Sequence, residues 1–209
     1  PGEVEFAELN EHPPTDRSLL RQDEAGAVRL ASGDGDVEIR NGANGTIDAG
    51  GAYAYGVLSL SFAGDSNVVN AGDVTATGVG SGLYTFAYGV VSSSQIGTAA
   101  VINSGNISAM ASGLVTIARG IDASGVDAEV INRGYVESYG KYSRGINAVS
   151  SAGDVDVRNQ GTIYAGGKYT YGIAGIATDG DVLITNTADG LIDAYSSGAV
   201  AVGMLGTSV

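Results

Sequence analysis

An asparagine recurs along this chain at nearly constant spacing, and that recurrence limits the possible folds more than any other feature. Asn41, Asn70, Asn103, Asn132, Asn159 and Asn186 are separated by 29, 33, 29, 27 and 27 residues. Around them the segments VEIRNGANGTIDA, NVVNAGDVTA, AVINSGNISA, EVINRGYVES, VDVRNQGTIYA and VLITNTADGLIDA repeat one pattern. Val74, Ile107, Val136 and Ile163 follow their asparagine at the fourth position, and Ile47 and Ile192 at the sixth, after a two-residue insertion. Five residues before the asparagines stand Asp36, Asp65, Thr98, Asp127, Asp154 and Asp181. A later motif, YAYGV, FAYGV, IARGI, YSRGI, YTYGI and VAVGM, carries Gly56, Gly89, Gly120, Gly145, Gly172 and Gly203. Three columns in register over six copies mark a repeat architecture.

Within each repeat, short β-branched runs alternate with period two and are broken by Gly, Asn or Asp every 8–12 residues. Val155, Val157, Asn159, Gly161, Ile163 and Ala165 are the alternate positions of one such stretch and describe a single buried face. No segment has a capped 3.6-residue period, which disfavours helical repeats. The expectation is an all-β parallel β-helix of about six coils of 27–33 residues, each with three short strands, over residues 27–209. Each strand then pairs with its equivalents about 4.8 Å away. A narrow interior suits Val, Ile, Ala, Gly and Ser, and the chain has no Trp.

The asparagines read as corner residues in the left-handed region, their amides hydrogen-bonded along the axis as a structural ladder. Gly72, Gly105, Gly134 and Gly161 beside them read as the residues that permit a tight corner. Residues 1–26 lie outside the repeat and hold all three prolines, the single histidine, His12, and seven acids. They are expected to be a leader or a cap over the first coil, VEFAEL having strand alternation. The chain stops just after the sixth glycine motif, which suggests a fragment of something longer. Extra residues fall at 77–85 and 110–116, where neighbouring loops are expected to project from one face.

Composition bears on function chiefly by exclusion. The 34 glycines among 209 residues have no Gly-X-Y period, so collagen is excluded, and 44 % hydrophobic content is too high for disorder. A net charge of −13, with only Lys141 and Lys168 as lysines, argues against nucleic acid and anionic membranes. No apolar run is long enough to span a membrane as a helix, so this segment is not expected to be membrane-embedded. With no cysteine there is no disulfide, thiolate nucleophile or zinc–thiolate site. His12 lies outside the repeats and no GxSxG, HExxH or phosphate loop occurs, so no catalytic residues are assigned and the protein is not expected to be an enzyme.

Two columns could carry binding. Asp127, Asp154 and Asp181 are weak candidates for calcium, although an Asp after Gly is also an ordinary turn residue and no calcium β-roll nonapeptide is present; no other cofactor is expected. Before the glycines stand Tyr53, Phe86, Ile117, Tyr142 and Tyr169, and, directly preceding them, Tyr55, Tyr88, Arg119, Arg144 and Tyr171. Burying two unpaired guanidiniums would cost several kcal/mol, so this strip is placed on the surface. There its rings can stack on sugars and its arginines can bond hydroxyls or carboxylates. The same side chains could simply stack on one another.

The iterated V-x-[NR]-x-G-x-I-x-A, YGI-x-A and GD elements, seen in VRNQGTIYAGGKYTYGIAGIATDGD, resemble passenger domains of bacterial autotransporters and filamentous-haemagglutinin-type adhesins. The resemblance covers residues 27–209 and rests on composition and period. It implies a right-handed parallel β-helix, secreted to or displayed at the outer membrane of a Gram-negative bacterium. It also implies a role in attachment, self-association or biofilm, with a glycan or a host or bacterial surface as partner. The alternatives are a structural spacer or filament segment without a ligand and, more distantly, a polysaccharide-degrading tailspike or lyase.

Overall fold

The computed structural model describes Arg21 and Gln22, residues 28–80 and residues 82–209. Those residues form strands and turns only, stacked as a β-solenoid of six coils. One sheet holds the asparagine strands, Val37–Asn41, Ser66–Asn70, Thr98–Asn103, Asp127–Asn132, Val155–Asn159 and Val182–Asn186. All pair in parallel with the repeat register intact, as in Asn70↔Asn103 and Asn103↔Asn132. The leader or cap expected over 1–26, with His12 and the prolines, lies outside the described residues. The exception is Arg21–Gln22, which pairs antiparallel with Val28–Ser32.

After each asparagine the chain turns into an outgoing limb and comes back along a returning limb. In the first three coils these are separate strands: Thr46–Gly51 and Tyr53–Ser61, Asp73–Val79 and Tyr84–Ser94, Asn106–Ser112 and Val115–Gly125. In the last three they merge into single strands, Tyr135–Ser150, Thr162–Ala177 and Leu191–Ser208, so the expected three short strands per coil become two. Most of the described residues of the insertions at 77–85 and 110–116 lengthen the limbs as strand, to Val79 and Ser112 on one side and from Tyr84 and Val115 on the other. Thr77 pairs with Met110 and Val79 with Ser112 on the outgoing side, and Tyr84 with Val115 on the returning side.

Two packed layers result. Val and Ile of the asparagine strands, the first turn of the outgoing limbs and the residues after each repeat glycine make the main core, with Ile107, Ile121, Ile146 and Ile163 fully buried. Beyond it the two limbs close on each other as a thin flange filled by Ala49, Ala54, Ala76, Ala87 and Ala109. In the fourth coil two serines replace two alanines together, and the hydroxyls of Ser138 and Ser143 meet at 2.6 Å. Only small residues fit here because the backbones are close: a Cβ on Gly78 would stand 2.6 Å from the Phe86 carbonyl oxygen. At the flange tip Gly51, Gly113, Gly167 and Gly198 have φ of 137°, 146°, 153° and 155°, which other residues rarely adopt.

The corner at the repeat glycines Gly56, Gly89, Gly120, Gly145 and Gly172 has a steric cause, whereas a Cβ on Gly203 would meet nothing within 4 Å. Alternation breaks there, Gly145 and Ile146 being buried in succession. A Cβ on Gly145 would lie 2.3 Å from Cγ2 of Ile163 and 2.6 Å from the Gly172 carbonyl oxygen. The apolar column that follows the asparagines is thus seated on the glycines.

The asparagine amides run head to tail. Asn41 Nδ2 donates to Asn70 Oδ1 at 2.7 Å, and the same bond joins each later pair as far as Asn159 and Asn186. Asn41 Oδ1, at the first rung, is buried with no donor among the described residues. The left-handed backbone expected for these asparagines is not found: no described residue other than glycine has positive φ. The amide ladder itself holds the corner, so no αL residue is required. The neighbouring glycines are also not needed for their torsions. A Cβ on Gly105 or Gly134 would stand 2.1 or 2.0 Å from the carbonyl oxygen of the equivalent glycine one coil away.

Candidate functional site

The returning limbs turn one residue in two outward and bring the strip together as two ladders. Tyr53, Phe86, Ile117, Tyr142 and Tyr169 pair in register on one, and Tyr55, Tyr88, Arg119, Arg144 and Tyr171 on the other. The rungs touch. Ring centroids are 5.2 Å apart for Tyr53 and Phe86, 5.1 Å for Tyr55 and Tyr88, and 5.1 Å for Tyr142 and Tyr169. Arg119 lies over the Tyr88 ring at 5.4 Å and Arg144 over the Tyr171 ring at 5.6 Å. One ladder therefore carries two stacked segments, Tyr55, Tyr88 and Arg119 in one and Arg144 and Tyr171 in the other, with the two arginines as register partners.

The arginines are half-buried and differently partnered. Arg119 Nη1 donates to Asp122 Oδ2 at 2.5 Å. Arg144 Nη1 donates to the Asn147 side-chain oxygen, and Asn147 Nδ2 in turn donates to Asp122 Oδ1 at 2.6 Å. Asp122 thus bonds Arg119 directly and meets Arg144 only through Asn147. Burial pushes the Arg119 guanidinium down, but Asp122 and Tyr88 beside it outweigh this and hold it above its ordinary value. Burial, and then the charge of Arg119, hold Arg144 below its ordinary value, Asp122 opposing only in part. Burial raises the Tyr88 phenol against the opposing pull of Arg119.

Between the two ladders opens a groove of about 210 Å³, lined by Ile117, Arg119, Tyr142, Arg144, Tyr169 and Tyr171 with the backbone-side residues Ala118 and Ser143. Both lysines flank it, Lys141 Nζ at 5.9 Å from the Tyr142 ring and Lys168 Nζ at 5.6 Å from that of Tyr169. Four of the chain's ten cationic side chains therefore gather on this one stretch of surface. Such a site offers aromatic edges, phenol hydroxyls and guanidinium donors.

Asp122 and Asn147 were not among the residues singled out from the sequence. Two places after the repeat glycine the other coils carry Leu58, Val91, Ala174 and Leu205. Polar residues replace these only in the two coils whose preceding tyrosine is replaced by arginine, and that coincidence is the signal that points to them.

The aspartate column is engaged by backbone. Asp36 Oδ1 accepts from the Asp65 N–H at 2.8 Å, Asp127 from Asp154 at 2.8 Å, and Asp154 from Asp181 at 2.8 Å. Asp127, Asp154 and Asp181 stand one per coil, and no group of three or more His, Asp or Glu side chains gathers within metal-binding reach among the described residues. The flange tip is apolar where the insertions lengthen it, Leu83, Tyr84, Met110 and Leu114 being exposed. No helix of the described residues is long and apolar enough to cross a membrane.

A family model described as the BigA fourth domain matches residues 5–208. No curated protein and no solved structure gives a significant match.

Proposed function

The chain belongs to the BigA fourth domain family, and we propose that within it this solenoid is a non-catalytic segment of a surface adhesin whose returning limbs bind glycan. The observation that carries the reading is the pair of ladders with the groove between them. Stacked side chains at a fixed rise form a rigid surface, so a sugar docking against the edges of Tyr142 and Tyr169 orders few new rotamers. Each aromatic pair within the ladders contributes about 0.5–1.5 kcal/mol to holding them rigid, and a repeated ladder offers the repeated weak contacts on which multivalent attachment depends. Display at the outer membrane of a Gram-negative bacterium accords with the resemblance to autotransporter passengers and with the absence of cysteine.

The test is a glycan array probed with the intact chain and with a Tyr142→Ser/Tyr169→Ser variant. The reading expects binding by the parent, loss of at least tenfold in the variant and an unchanged far-ultraviolet spectrum. Equal binding by both removes the strip from the account.

A further inference from the structure

We infer that the groove between Arg119, Arg144, Tyr142 and Tyr169 is a subsite for an acidic sugar, a pyranose carrying a carboxylate. The two guanidiniums take the carboxylate and the tyrosine pair takes the ring. This rests on the glycan-binding reading above and names the class of ligand.

Charge carries the inference furthest. The protein has a net charge of −13, and a site for a neutral sugar in such a chain has no need of clustered cations. Yet Arg119 and Arg144 line one groove and Lys141 and Lys168 lie over the rings of Tyr142 and Tyr169 that also line it, while Asp122 is the only carboxylate bonded to either arginine among the described residues. Both oxygens of Asp122 are already occupied, one by Arg119 and the other by Asn147. Arg144 therefore has a neutral amide where Arg119 has a carboxylate. A guanidinium has five N–H donors, and each of these two makes a single hydrogen bond to the described residues.

The geometry suits the ligand as well. Arg119 and Arg144 are register partners on adjacent parallel strands, which places them about 4.8 Å apart. A carboxylate seated at the groove edge accepts from both at once and offsets their mutual repulsion. Tyr142 and Tyr169 line the same groove with their rings stacked on one another at 5.1 Å, so a pyranose attached to that carboxylate meets their outward edges and phenol hydroxyls. Sulfate or a bare organic anion would meet the arginines but leave the tyrosines unused.

The experiment measures binding of the intact chain to glucuronate-, galacturonate- and sialate-terminated oligosaccharides, each beside its methyl ester, with acetate as competitor. Two variants accompany it, Arg144→Gln in the groove and Arg133→Gln on the asparagine corner. The inference expects at least one acid to bind and its methyl ester to bind tenfold or more weakly. It expects Arg144→Gln to lose the acid preference while Arg133→Gln keeps it, and rising salt to weaken binding. Equal binding of acid and ester, or retention of the preference by a folded Arg144→Gln chain, overturns the acidic subsite and leaves the glycan reading standing. Displacement by acetate at concentrations similar to those of the sugar also overturns it, since the groove then reads a bare anion. Binding to none of these and to no neutral glycan overturns both readings.

Discussion

Arg119 and Arg144 hold the same position in adjacent coils and pair in register, yet only Arg119 has a carboxylate for a partner. The two should respond differently to the same substitution. Arg119→Gln leaves the Asp122 carboxylate, only 13 % exposed, without its cation and is expected to cost about 1–3 kcal/mol. Arg144→Gln removes a like charge and one bond to an amide, with an expected change within about 1 kcal/mol. Urea titrations of the two variants check this, and equal losses would contradict the asymmetric network.

Alkaline pH should weaken the fold. Burial raises the Tyr88 phenol above its ordinary value near 10, and burial followed by Glu137 raises Tyr135 in the same direction. A phenol whose folded pKa is raised favours the folded state in its neutral form. That contribution is complete below the unfolded pKa of about 10 and is lost as pH climbs through the higher folded value. Thermal melts are expected to be level through neutral pH and to fall above about pH 10, with a shallower fall in Tyr88→Phe.

The repeat glycines from Gly56 to Gly172 should tolerate no side chain. Gly145→Ala drives a methyl into Ile163 and the Gly172 carbonyl and is expected to cost about 3 kcal/mol or more. Gly50 has no atom within 4 Å of its added Cβ, and Gly50→Ala should stay within about 0.5 kcal/mol. Chemical denaturation of the pair measures the difference.

The amide ladder should be least tolerant in its middle. Asn132 accepts from Asn103 and donates to Asn159, both at 2.8 Å, and Asn132→Ala strands a buried donor and a buried acceptor. About 2–4 kcal/mol is expected. Asn186 at the last rung is exposed, and Asn186→Ala should cost about 1 kcal/mol or less. Comparable losses at both positions would mean that the rungs act independently of burial.

Much of this architecture is written in the sequence because a solenoid places the same residue in the same surroundings six times. Asn41 to Asn186 keep one identity because each amide meets the next, and Gly56, Gly89, Gly120, Gly145 and Gly172 keep theirs because an Ile or Val presses on them. What the columns do not reveal is the physical reason for each choice. Gly105 and Gly134 read as residues with special torsions, whereas the constraint is a carbonyl oxygen from the neighbouring coil. The extra residues at 77–85 and 110–116 read as loops because the flange that accommodates them as strand has no signature beyond paired alanines. The groove is harder still to read. Asp122 and Asn147 matter because they depart from their column, and repeat analysis looks first at what stays the same.

The most direct measurement is an amide-resolved footprint of the intact chain with a bound oligosaccharide, by nuclear magnetic resonance or hydrogen exchange. The account predicts perturbation concentrated at residues 117–119, 142–144 and 169–171, the three returning limbs that line the groove. A footprint on the asparagine strands, or at the flange tip around Leu83 and Leu114, would contradict it.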